Sequence, residues 1–238
     1  MEKQPRNRVD GILLVDKSPD WTSFDAVNLV KRHFWLDKVG HCGTLDPFAT
    51  GLLVILLGKA TRLQDQLMGK EKCYRATMKL GERTETEDLT GEVTSVQPVP
   101  PLTKEQLQEQ ANAFLGEILQ TPPMHSAIKV HGQPLYKLAR KGQTVERKAR
   151  PVTIHNFTID DYHEPLVDFT VTCSKGTYIR TLGADLAERL GCGGHLVALR
   201  RLSSGDHTVE QACTVEDLKN WDLEELKKHL LPLPEVAP

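Results

Sequence analysis

Apolar residues recur with two periods along this 238-residue chain, and the switches between them mark out its elements. GILLVDK at 11–17 is a short apolar run with polar neighbours, the pattern of a buried strand. Behind it Thr22 or Ser23 can cap a helix whose apolar positions Phe24, Val27, Val30 and Phe34 fall on one face. LLVILL at 52–57 is a second apolar run, with a helix over ATRLQDQLM after it. CYRATMKL then alternates, with Tyr74, Ala76, Met78 and Leu80 facing one way and Arg75, Thr77 and Lys79 the other, so Tyr74 points to the core side of a half-buried strand. TKEQ at 103–106 has capping-box spacing and opens a helix reaching about Gly116. SAIKV, RPVTIHNFTI and LVDFTVTC supply further strands, with helical turn around LYKLARKG. Ile179, Leu182, Leu186 and Leu190 line one face of a helix that Gly191 stops. A glycine turn and a last strand over GCGGHLVALRRLSSG follow, and Thr214 with Asp217 starts an acidic C-terminal helix. Strands and helices mingle without a regular beta-alpha-beta rhythm or a long repeat, which predicts an α+β fold with a large mixed sheet.

Composition narrows the class. A hydrophobic content of 39% suffices for a real core. The N-terminus lacks an apolar stretch of signal-peptide length, and LLVILL is far too short to span a bilayer, so a soluble cytoplasmic chain is expected. The five cysteines are scattered and form no CxxC pair, which points to reduced thiols and no metal site. The net charge of −2 hides an uneven distribution. Segment 129–150 carries seven Lys or Arg against one Glu, whereas 82–92 has five acids to one Arg and 209–238 seven acids to three Lys. Local charge matters beyond the sum because screening acts over about 10 Å. The basic segment is thus either a solvated face or a phosphate-binding patch.

GHCGTLDPFATG at 40–51 is the stretch with most chemistry in it. Pro47 pushes Asp46 toward extended conformations, and Gly43 and Gly51 allow tight turns on either side, so the carboxylate sits on a loop. Taken alone, an LDP triplet is an ordinary turn.

The longer string resembles the signature of the TruB family of tRNA pseudouridine synthases, and other motifs follow in order. KSPDWTS at 17–23, EKCYRATMKLG, TETEDLTG, TPPMHSAIKVHGQPLYKLARKG, SKGTYIRTLGADLAERLG and LRRLSSG each resemble a family element, so the resemblance spans roughly 10–205. It implies the pseudouridine synthase fold, a mostly antiparallel mixed sheet flanked by helices and loops, with an RNA-clamping insertion at about 124–152. The implied activity is isomerisation of uridine 55 in the tRNA T loop, without cofactor or metal, by a monomer. Asp46 matches the catalytic carboxylate, which is ionised at neutral pH and needs no metal to act. Arg180 matches the arginine that pairs with it, and Tyr74 the tyrosine that stacks on the flipped base, offsetting the few kcal/mol of extrusion. Tyr178 corresponds to a second pocket tyrosine, His41 to the histidine that fills the space the flipped nucleotide leaves, and Lys17 and Lys129 to basic positions near the RNA. Asp88 falls on the acidic turn, where it serves a base, a ribose or the loop itself.

Cys42 departs from the family, which has Thr there, and its neighbour His41 invites a nucleophilic reading that the family does not support. KSPDWTS departs too: Ser18 precedes Pro19, with Asp20 and Trp21 after it. Residues 206–238 are acidic and helical in pattern, and a complete PUA barrel is not expected there. Two competing readings are an RNA-binding or tRNA-folding protein of this fold with little turnover, and a hydrolase or phosphatase using Asp46 as a covalent nucleophile. The second lacks the DxD spacing for magnesium, since residue 44 is Thr.

Overall fold

The computed structural model describes residues 5–233 apart from 127, 131 and 140, with the side chains of Lys129 and Val130 also outside the described set. The chain runs β1 (Gly11–Lys17), α1 (Ser23–His33), β2 (Val39–Cys42), β3 (Thr50–Leu57), α2 (Gln64–Met68), β4 (Lys72–Leu80), β5 (Glu82–Thr84), β6 (Val93–Val96), α3 (Lys104–Asn112) and β7 (Gly116–Gln120). It continues through β8 (Lys129–Val130), β9 (Gln133–Pro134), α4 (Leu135–Ala139), β10 (Arg150–His163), β11 (Leu166–Cys173), α5 (Ile179–Arg189), β12 (Gly194–Ser204), β13 (His207–Thr208), β14 (Cys213–Thr214), α6 (Val215–Asn220) and α7 (Leu223–Lys228). The fold is mixed α/β with a large sheet of both strand senses. Among the described residues no helix is long and apolar enough to cross a membrane.

Two compact units divide the chain: Met1–Tyr74 with Arg200–Pro238, and Arg75–Leu199. In the first, β1 lies antiparallel to β3 along its whole length, from Gly11 opposite Leu57 to Lys17 opposite Gly51. One edge of β3 is thereby taken. The other is shared: β2 pairs antiparallel with Val54–Leu57, and Arg200 and Arg201 of β12 pair parallel with Thr50 and Gly51. β1 and β3 are buried along almost every position, which is why they read as unbroken apolar runs rather than alternations. The wide loop from β2 to β3 carries Asp46.

α1 differs from its sequence pattern in one respect. Its buried stripe is Ser23, Ala26, Val27 and Val30, followed by Phe34 at the cap, so it starts from the serine; Phe24 sits one residue off that stripe and is 67% exposed. Thr22 is the cap, in a capping box with Asp25. The C-terminal pattern resolves into two short helices, because Asp222 accepts from the Glu225 N–H and caps anew at α7.

In the second unit, β11 pairs antiparallel with β10, and β10 with β7. α3 packs on β10, burying Leu107 and Ala111. Thr103 caps α3 in a capping box with Gln106; the helix stops at Asn112, and residues 113–115 continue as tighter turns bonded three residues back. α5 buries Ile179, Leu182 and Leu186 as its periodicity requires. β5 with β6, and β8 with β9, form two small hairpins.

Candidate active site

In the first unit the Asp46 loop is held from below by side chains of three elements. Ser23, at the start of α1, exchanges two hydrogen bonds with Leu45: its hydroxyl accepts from the Leu45 N–H at 2.8 Å and donates to the Leu45 carbonyl at 3.2 Å. Lys17, the last residue of β1, donates from Nζ to the carbonyls of Trp21 (2.7 Å), Ser18 (2.9 Å) and Pro47 (3.1 Å). Arg201 of β12 donates from Nε to the Leu52 carbonyl (2.6 Å) and from Nη2 to that of Gly43 (3.2 Å). The carbonyl of Asp46 accepts from the Ala49 N–H at 3.1 Å, closing a turn around Pro47. Asp46 itself is half-buried, on a backbone fixed on both sides.

The electrostatics follow from burial. Lys17 is 0% exposed, and loss of hydration pushes its ammonium down to about 8, against the pull of the nearby Asp46 carboxylate and with the push of Arg201. His41, on β2, is lowered below its ordinary value by burial first and by Arg201 second, against a hydrogen bond with the Gly43 backbone; among the described residues its buried Nδ1 has no hydrogen-bond partner. Cys42 is packed among Ile12, Leu14, Val54 and Leu56, and burial raises its thiol to about 11. A thiol so raised is protonated at neutral pH and is no nucleophile. Cys42 is a core residue, and its proximity to His41 in sequence has no catalytic meaning: the two alternate on β2, one side chain packed into the core and the other half-buried.

Lys17 therefore does not lie where the sequence reading put it. A fully buried ammonium with three carbonyl acceptors has no face for an RNA phosphate; it is part of the loop's support. Tyr74 is 9% exposed on β4, on the side that carries Ala76, Met78 and Leu80, as its alternation requires. The backbone of Lys129 is in β8, and its side chain, expected near RNA, lies outside the described residues.

In the second unit the acidic turn TETEDLTG wraps the guanidinium of Arg180, which is 3% exposed at the start of α5. Nη1 donates to the Thr86 carbonyl at 2.8 Å and lies 3.4 Å from Asp88 Oδ2, while Nη2 donates to the His125 carbonyl at 2.8 Å. Asp88 Oδ1 in turn accepts from Thr86 Oγ1 (2.7 Å), Thr90 Oγ1 (2.5 Å) and the Thr90 N–H (2.9 Å). Asp88 is thus the buried counter-charge of Arg180, a role its position on a solvated-looking acidic run conceals. Glu87 takes a positive φ of 62°, which turns its carboxylate back to accept from Thr181 Oγ1 at 2.6 Å. Tyr178, the residue before α5, is clamped by Gln120 of β7: the amide oxygen accepts from the Tyr178 N–H (2.8 Å) and the amide nitrogen donates to its carbonyl (3.1 Å).

Ser23, Arg201 and Gln120 are the supporting residues that sequence reasoning missed. Ser23 and Arg201 do lie in KSPDWTS and LRRLSSG, so the motifs marked them without saying what they do. Nothing local signals Gln120.

Known proteins match this arrangement across the chain. A family model described as TruB family pseudouridylate synthase, N-terminal domain, matches residues 31–179, and one described as tRNA pseudouridylate synthase B C-terminal domain matches 180–236. The tRNA pseudouridine synthase B of Opitutus terrae is 45% identical over 99% of this chain and 98% of its own length. That of Ralstonia pickettii is 53% identical over 91% of this chain and 69% of its own. Among solved structures, a Cbf5-Nop10-Gar1 complex matches with a TM-score of 0.73 at 29% identity, over 93% of this chain; the match spans 60% of that longer chain. With the two family models together covering residues 31–236 and a relative 45% identical over nearly its whole length, the chain belongs to the TruB family of pseudouridylate synthases.

Proposed function

We propose that this chain isomerises uridine 55 in the T loop of tRNA to pseudouridine, with Asp46 as the catalytic group. The bond from ribose C1′ to N1 of the base breaks, the base turns, and C1′ joins C5; C5 gives up a proton, N1 gains one, and nothing else enters or leaves. Such a reaction needs an ionised group at the reacting atoms and a pocket that holds an extruded base.

The observation that carries the reading is the way Asp46 is presented. Its neighbours Leu45 and Pro47 are each tied by a buried side chain from a different element, Ser23 and Lys17, in a chain of this family. A turn aspartate of no consequence does not require such support. Within this reading Tyr74 and Tyr178 receive the base, and Arg180, held by Asp88, acts on the carboxylate of Asp46. His41, half-buried on β2, contacts the T loop where the nucleotide has left. The insertion at about 124–152, with Lys129, clamps the stem through phosphates, giving affinity that falls steeply with salt. The catalytic domain is 10–205 and 206–238 an extension of it, and the protein works as a cytoplasmic monomer.

The test is conversion of an unmodified tRNA transcript by the purified protein in EDTA, with the product mapped by position. Asp46→Asn is expected to abolish conversion and keep tRNA binding. Full activity of that variant would remove Asp46 from the mechanism, and a product at another nucleotide would overturn the substrate.

A further inference from the structure

We infer that Arg201 is a positioning residue for Asp46, holding the carboxylate loop at both of its ends; this rests on Asp46 being the catalytic group. The loop enters and leaves through two glycines with left-handed backbones, Gly43 at φ +80° and Gly51 at φ +99°. Both face Arg201. A Cβ on Gly51 would sit 2.7 Å from the Arg201 backbone nitrogen and closer still to its carbonyl oxygen, so the β12 backbone lies directly against that position. A Cβ on Gly43 would be 3.4 Å from Arg201 Nη1. The parallel pairing of Arg201 with Gly51 fixes the far end of the loop, and the bond from Nη2 to the Gly43 carbonyl fixes the near end. Asp46 lies between them.

The side chain is 1% exposed, and among the described residues its hydrogen bonds go to main-chain carbonyls. Burying a guanidinium this way is costly, and an apolar residue of similar volume would serve the core at least as well. What an apolar residue lacks is the planar fork. Nε reaches Leu52 on β3 while Nη2 reaches Gly43 just past β2, so a rigid group bridges the two strands from which the loop springs. A lysine in its place has one donor centre and cannot bridge both. The guanidinium also bears on Lys17 and His41, whose pKa values it depresses, as a charge under the whole base of the loop does.

The experiment compares Arg201→Lys, Arg201→Met and Gly43→Ala with the unaltered chain. It reads the single-turnover rate at saturating tRNA, the tRNA dissociation constant, and amide hydrogen exchange across 43–51 in the free protein. Arg201→Lys is expected to slow turnover by about 10- to 100-fold, since a displacement of the order of 1 Å at a reacting group costs that much. Its tRNA affinity should stay within about twofold, because the side chain is buried away from RNA. The amides of 43–51 should exchange faster while those of β10 do not change. Gly43→Ala, which leaves the buried charge in place, should repeat the pattern, and keeps the test alive if Arg201→Met does not fold. Unchanged turnover and unchanged loop exchange in Arg201→Lys, with only a lower melting temperature, would overturn the inference. An unaltered chain that left uridine 55 unmodified would overturn the functional reading instead, and the exchange data would still decide what Arg201 holds.

Discussion

Lys17 Nζ lies 3.1 Å from the carbonyl oxygen of Pro47, so a wholly buried ammonium grips the residue that follows Asp46. Burial lowers its pKa from 10.5 to about 8. Between those values the unfolded chain binds the proton and the folded chain has released it, so stability rises with pH across that window and is level below it. The stability of the protein minus that of Lys17→Met should therefore grow from pH 8 to 10.5 by up to about 3 kcal/mol, each pH unit in that window contributing about 1.4 kcal/mol at most. Urea unfolding at a series of pH values measures it. A flat difference would mean the ammonium is hydrated.

Asp88 carries the counter-charge of Arg180, and Asp88→Asn keeps its shape while removing that charge. Arg180 retains its bonds to the carbonyls of Thr86 and His125 but its buried charge loses its partner, so stability should drop by about 3–5 kcal/mol. Turnover should fall by about 10- to 100-fold with little change in KM, the split expected when a positioned group is loosened rather than binding lost. Steady-state kinetics on the tRNA transcript decide between that and an equal loss in KM.

Gln120→Ala leaves the N–H and carbonyl of Tyr178 without their partner at the start of α5. An unpaired, partly buried backbone pair of this kind costs about 1–3 kcal/mol, visible as a lower urea midpoint at unchanged m-value.

Cys42 should resist alkylation. Its thiol is buried and raised to about 11, so iodoacetamide at about pH 8 should leave it unmodified in the native protein and label it after denaturation. Peptide mapping reads both states. Labelling of native Cys42 accompanied by loss of activity would return it to the active site.

Much of the fold is written in local pattern. The Tyr74 strand, the capping boxes at Thr22, Thr103 and Thr214, and the α5 stripe from Ile179 follow from two periodicities and from cap chemistry, both properties of neighbouring residues. Where reading failed locally, a neighbouring element had decided the matter. Phe24 has the spacing of a core residue, but the first stripe position went to Ser23, whose hydroxyl is needed at Leu45.

The sequence by itself determined the residue types that chemistry requires, the order of the motifs and the presentation of Asp46 on a proline-stiffened loop between glycines. It could not determine what lies beneath them. Lys17 read as a basic position near the RNA and is a buried tether; Asp88 read as an open alternative and is the partner of Arg180; Cys42 read as a puzzle and is core. Arg201 lay in LRRLSSG with no role assigned, and sits 149 positions from the Leu52 carbonyl to which it donates. The physical reason is common to all four: a polar group's role is set by its desolvation and its partners, and those partners come from strands and turns distant in the chain, brought together only when the sheet forms.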